Sequence, residues 1–66
     1  MEVFINKEKH EVQNNLLLEV LASVGIELGN GTAVAINNAV VPRNLWQTKN
    51  VQSLDNILII KATQGG

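Results

Sequence analysis

Ile57-Leu58-Ile59-Ile60-Lys61-Ala62-Thr63-Gln64-Gly65-Gly66 is the stretch on which the reading of this sequence turns. Four successive aliphatic residues, three of them β-branched, read as a strand buried on at least one face. Asp55-Asn56 supplies a turn into it. Lys61 to Gln64 separate the apolar run from Gly65-Gly66, so the glycines leave directly from the fold. Residues 1–62 therefore read as one folded domain and residues 63–66 as a flexible tail.

Working back from that strand, residues 33–36 form another β-prone run. Asn37-Asn38 is a tolerable hairpin turn into residues 39–41, and Pro42 ends that strand because it has no N–H for the ladder. Residues 43–46 can form a single helical turn. Upstream, Leu17, Val20, Leu21 and Val24 recur at helical spacing. Asn14 and Asn15 are good N-cap types before them, and Gly25 stands where a helix C-cap glycine belongs. Leu16 and Leu18 lie off that stripe. Gly29-Asn30-Gly31 reads as loop. Residues 3–5 are a short apolar strand ending at an Asn6-Lys7 turn, and residues 9–12 return as a more polar strand. The order is strand, strand, helix, strand, strand, short turn, strand. One helix cannot bury itself, so it must cover one face of a mixed sheet. The expected class is α+β, a β-grasp with the last strand inside the sheet.

At 66 residues the chain is one domain at most. A core of this size rarely supplies more than roughly 3–5 kcal/mol of net stability, and without cysteine neither disulfides nor thiolate metal sites can help. The compensation is an apolar share of 45%, nearly all aliphatic, with Phe4 and Trp46 the only aromatics. Net charge is −1 and there is no basic patch, which argues against a nucleic acid partner. No apolar run approaches the roughly 20 residues of a membrane span. Met1-Glu2-Val3-Phe4 does not open like a signal peptide. The cytoplasm is the expected location.

A Gly-Gly end on a chain of ubiquitin-like size points to the C-terminal carboxylate of Gly66 as the working group. Glycine lets a tail thread a narrow channel and take backbone angles closed to other residues. The rest of the chain is badly equipped for catalysis. His10 is the single histidine, and the acids Glu2, Glu8, Glu11, Glu19, Glu27 and Asp55 are scattered. None forms a metal-ligand spacing or a nucleophile–base pair. His10, on a strand edge, reads as a solvated surface residue. Gly29-x-Gly31 is not a phosphate loop, since no GKS/T follows and a helix precedes it. Trp46 reads as a packing anchor. Arg43 reads either as a cation facing an acidic partner or as a solvated charge beside a structural proline. No enzyme activity is expected of the chain itself.

Over essentially its whole length the sequence resembles the ThiS family, the small sulfur carriers of thiamine biosynthesis. Ala33-Val34-Ala35-Ile36-Asn37, then Val40-Val41-Pro42-Arg43 and Trp46, match the family's V-A-x-N strand leading to I-V-P-R. Asp55 through Gly66 match its aspartate, aliphatic strand and Gly-Gly end. The sequence departs from the pattern at Lys7 and Leu54, where many members have glycine, at the helix start, and at Leu58, where a charged residue is common. The resemblance implies a ubiquitin-like β-grasp and a carrier role. On that resemblance, an adenylating enzyme of the ubiquitin-activating type is expected to use ATP on Gly66, a sulfur donor system to convert the adenylate to a thiocarboxylate, and a thiazole synthase to receive the sulfur. No bound cofactor is implied. The sulfur carrier of molybdenum-cofactor synthesis, a protein modifier and a non-covalent interaction module remain as alternatives.

The partner surface is expected on the sheet face that the helix leaves free. In the last strand Ile57 and Ile59 share one face, and Leu58, Ile60 and Ala62 share the other. Lys61 follows the first set, which by alternation alone would turn that set to solvent. The resemblance implies the reverse, so Leu58 and Ile60, with Ala35 on the neighbouring strand, are expected to form an exposed apolar strip.

Overall fold

The computed structural model describes residues 1–61. Strands β1 (Glu2–Ile5) and β2 (Glu8–Glu11) precede the helix α1 (Leu17–Ser23). Strands β3 (Thr32–Ile36) and β4 (Ala39–Val41), a 3₁₀ turn (Arg43–Leu45) and strand β5 (Asn56–Lys61) follow. The strands form one sheet in the order β2-β1-β5-β3-β4. The last strand thus lies between the first and third, parallel to β1 and antiparallel to β3. This is the expected mixed sheet with one helix, a ubiquitin-like β-grasp.

Both hairpins close on two residues in the left-handed region: Asn6 and Lys7 (φ 50° and 72°), then Asn37 and Asn38 (φ 52° and 70°). Paired positive φ angles match the right-handed strand twist, and asparagine tolerates them better than most residues. The first turn places Glu8 opposite Ile5, so β2 begins one residue before the expected position 9. Val12 stays paired through its N–H to Met1 O (2.8 Å) and is buried.

The start of α1 differs from the sequence expectation. Neither Asn14 nor Asn15 caps it; the N-cap is Leu16, in extended conformation and without a side-chain cap bond. A distant segment satisfies the first turn instead. The Leu17 N–H donates to Lys49 O (2.9 Å), the Val51 N–H donates to Asn15 O (2.7 Å), and Leu16 bridges Asn50. A carbonyl brought by tertiary packing meets one of the orphan donors that every helix start exposes. The other end follows expectation. Gly25 has φ 81°, its N–H reaches Ala22 O (3.0 Å), and the Ile26 N–H reaches Leu21 O (2.8 Å). These are the two bonds of a Schellman ending, with Ile26 packing back towards the core.

Leu17, Val20 and Leu21 of α1 lie on Val3, Ile5, Val34, Ile36 and Ile57 of the sheet, closed by Val12, Val41, Trp46 and Val51. Leu18, off the expected stripe, packs partly against the same cluster. Trp46 is 7% exposed, and its indole N–H donates to Val41 O at 2.9 Å. It therefore locks the 3₁₀ turn to the end of β4. Truncating such an anchor loses both the apolar contact and a buried hydrogen bond. Trp46→Ala is expected to cost roughly 3–5 kcal/mol in denaturant unfolding; a loss below about 1 kcal/mol would place the indole outside the stabilising core.

The turn into β5 is centred on Ser53-Leu54, two positions earlier than the expected Asp55-Asn56; it is closed by the Asp55 N–H to Gln52 O, and Asn56 is already in the strand. The Asp55 carboxylate accepts the Gln52 N–H (2.8 Å), and the Leu54 N–H donates to Glu2 O (2.6 Å). Leu54 has φ 70° and a 59% exposed side chain. A non-glycine residue held there is strained by about 1–2 kcal/mol, and this leucine gains little packing in return. Leu54→Gly is expected to raise stability by up to about 1 kcal/mol after the added flexibility of the unfolded chain is subtracted. A lower melting temperature for the variant would refute that assignment.

Candidate functional site

The sheet has one face under α1 and one open to solvent. Register decides which residues stand where, because directly opposed residues of antiparallel strands point to the same side. Val34 faces both Val41 and Ile59, and Ile36 faces Ile57; this set points to the core. The alternate set therefore points outward. Ala35 lies opposite Leu58 on one side and Val40 on the other, and Ala33 lies opposite Ile60. Leu58 is 44% exposed, Ile60 49% and Val40 72%. The outward assignment of Leu58 and Ile60 thus holds, and Ile57, not its neighbour, enters the core. Lys61 falls in register with the inward set but is exposed, at the strand's end opposite Thr32.

Ala35 needs a correction. It stands on the open face as expected but is only 7% exposed. Its methyl is short and is flanked by the longer side chains of Leu58 and Val40, so it forms the floor between them. Val40 takes the prominent place on the strip. The sequence carried a signal for it, because Val41 must turn inward with Val34 and period-two alternation then turns Val40 outward. Phe4, half-buried on β1 opposite Lys9 and beside Asn56, continues the face towards β2. Exposed apolar side chains that adjoin in this way usually mark an interaction surface.

Arg43 does not join the strip. Its guanidinium stands 5.6 Å from the centre of the Trp46 ring, and its Nη2 donates to Asn30 Oδ1 at 3.2 Å. It borders a shallow hollow with Leu18, Leu28, Asn44, Trp46 and Gln47, on the flank of α1. A cation stacked on an indole is held in place, so Arg43 is a positioned group on the helix side.

His10 is half-buried on the edge strand, with Nε2 3.8 Å from Glu8 Oε1, and so is less solvated than expected. Among the described residues, no group of three His, Asp or Glu side chains could hold a metal ion. Likewise, no described helix is long and apolar enough to cross a membrane. A second hollow, lined by Lys7, Asn37, Asn38, Asn56 and Leu58, opens between the two hairpin turns. It lies at the start of β5, whereas the strip follows β5 towards the strand's other end. Gly65 and Gly66 lie outside the described residues. Chain connectivity alone places residue 62 directly after Lys61, next in sequence to Ile60 of the strip.

The ThiS family model matches residues 2–66, a span that includes the strip, the Val41-Pro42-Arg43 corner and both terminal glycines. The chain belongs to the ThiS family. A crystal structure of a thiamine biosynthesis protein (ThiS) from Geobacter metallireducens superposes with a TM-score of 0.79. It has 19% sequence identity, and the alignment covers 100% of each chain. At that identity the likeness establishes the fold. No curated protein matches the sequence. Two departures of this ThiS-family chain from the expected pattern, Lys7 and Leu54, have φ 72° and 70°. These are conformations that glycine adopts without cost.

The facing of β5 can be tested on the fold alone. Ile60→Asp is expected to leave a folded protein, because its carboxylate stays in water. Ile57→Asp is expected to unfold it, because a buried unpaired charge is strongly disfavoured. Circular dichroism distinguishes the pair; the opposite pattern would mean that the faces are exchanged.

Proposed function

We propose that this chain is a sulfur carrier of thiamine biosynthesis whose Gly66 carboxylate is the reactive group. The observation that supports the reading is the family match, whose span of residues 2–66 takes in the sheet and Gly65-Gly66. A carboxylate is anionic and resonance-stabilised, hence a poor electrophile. An adenylating enzyme of the ubiquitin-activating type overcomes this with ATP. A Gly66 oxygen attacks the α-phosphorus, pyrophosphate leaves, and a mixed anhydride results. Sulfur delivered at the hydrosulfide level by a donor system then adds to the Gly66 carbonyl carbon, the bond to AMP breaks with its electron pair leaving on AMP, and a thiocarboxylate results. The thiocarboxylate passes its sulfur to a thiazole synthase. Covalent carriage divides one difficult transfer into easier steps.

In this reading the chain supplies no catalytic group. It supplies a surface and a tail. Leu58, Ile60 and Val40, over the floor of Ala35, dock on the activating enzyme and aim the residues after Lys61 into its ATP site. Glycine at positions 65 and 66 lets the tail pass a channel too narrow for side chains. Arg43, on the helix flank, is assigned to a separate contact with an acidic partner surface.

Intact mass spectrometry after incubation with ATP, an activating enzyme and a sulfur source is the test. The full chain is expected to exchange one terminal oxygen for sulfur. Deletion of Gly66 is expected to abolish the exchange while the circular dichroism spectrum is unchanged, and folded Ile60→Asp is expected to lose most of it. Sulfur loading by the truncated chain would overturn the carrier reading. Full loading by Ile60→Asp would overturn only the docking surface.

A further inference from the structure

Asn30-Gly31 is the one asparagine–glycine pair in a sequence with nine asparagines. It occupies an exposed loop just before β3. Gly31 has φ 79° and no Cβ to shield its backbone nitrogen. The Asn30 side chain is not free in this loop, because the Arg43 guanidinium donates to its Oδ1 at 3.2 Å. Arg43 is in turn steadied by its stack on Trp46.

We infer that Asn30 is a site of spontaneous covalent modification, an intramolecular deamidation that Arg43 promotes. The backbone nitrogen of Gly31 attacks Cγ of Asn30, forming a C–N bond and closing a succinimide ring. The Cγ–Nδ2 bond breaks, and Nδ2 departs as ammonia with the proton that the Gly31 nitrogen gives up. Water then opens the imide at either carbonyl, leaving aspartate or isoaspartate. Two features favour the attack. The reacting atoms belong to adjacent residues, so no bimolecular encounter is needed. Negative charge develops on Oδ1 in the transition state, where a fixed cationic donor already stands.

The other asparagines lack this combination. Asn37 has its amide engaged at both ends, donating to Asp55 Oδ1 and accepting from the Asn56 N–H at 2.9 Å each. Asn6 Oδ1 accepts the Ile59 N–H. Each of the remaining asparagines precedes a residue with a Cβ. The modification has a local consequence. It turns the charge-assisted Arg43–Asn30 hydrogen bond into a full ion pair and takes the formal net charge one unit below its present −1. The positioned cation of the helix flank is then neutralised by a covalent change two residues away from Thr32, the partner of Lys61 at the end of β5. The inference does not depend on sulfur carriage.

The full chain, held in mildly alkaline buffer, is followed by intact mass and peptide mapping. Conversion is expected to appear first at Asn30, several-fold ahead of every other asparagine. Arg43→Met, folded by circular dichroism, is expected to slow it several-fold, and Arg43→Lys to restore part of the rate as a point charge. Asn30→Asp serves as the control in which the early mass change disappears. Conversion that begins elsewhere, or that proceeds equally fast in Arg43→Met, overturns the proposal.

Discussion

The insertion of β5 between β1 and β3 is the constraint on which the molecule depends. Until the last strand arrives, two separate hairpins have no common ladder and α1 has no continuous surface to cover. Pairing with β1 is parallel and short, with Phe4 opposite Asn56 and Ile5 opposite Ile57. The first hairpin then turns away, and the Asn6 side chain takes over as acceptor for the Ile59 N–H at 2.9 Å. On the other flank the Asn37 side chain accepts from the Asn56 N–H and donates to Asp55. The same two asparagines make the left-handed starts of the two hairpin turns. Each therefore serves a local conformation with its backbone and the central strand with its amide.

The central position of β5 also accounts for the division between a buried face and an exposed apolar one. One of its faces, Ile57 with partial help from Ile59, closes the core under α1. The other presents Leu58 and Ile60 to solvent. Around Leu58 and Ile60, β3 holds one edge of the strand by ladder bonds, and on the other edge the Asn6 amide oxygen occupies the Ile59 N–H, which blunts that edge towards other chains. The edges that do exist are defended. β2 carries Glu8, Lys9 and Glu11, and β4 has three residues before Pro42.

Much of this was legible in the residues. Short apolar, β-prone runs marked the strands, and Asn6-Lys7 and Asn37-Asn38 marked the hairpin turns. Gly25 gave the helix end. Local chemistry suffices for these features, because each depends on backbone angles and side-chain alternation within a few residues. The helix start was not legible: Asn14 and Asn15 looked like caps, yet Lys49, Asn50 and Val51 hold that end. Nothing near residue 16 announces a segment more than thirty positions away. The outward facing of Val40 follows from Val41 turning inward with Val34, an alternation that the sequence does carry, whereas the placing of Arg43 rests on contacts with Trp46 and Asn30 that only the fold brings together.

By itself the sequence determined the elements, their order, the family and the Gly-Gly pair, since these are carried by local pattern and by residues in fixed succession. Which face of β5 meets the helix was decided only by tertiary structure. Five of its six residues, Ile57 to Lys61, alternate with no clean polar side, so either facing satisfies the strand. The choice is made when Val34 and Ile36 of β3 and Ile5 of β1 align Ile57 with the core. The same alignment fixes Leu58, Ile60 and Val40 on the outside, because a one-step slip in register would turn every side chain over.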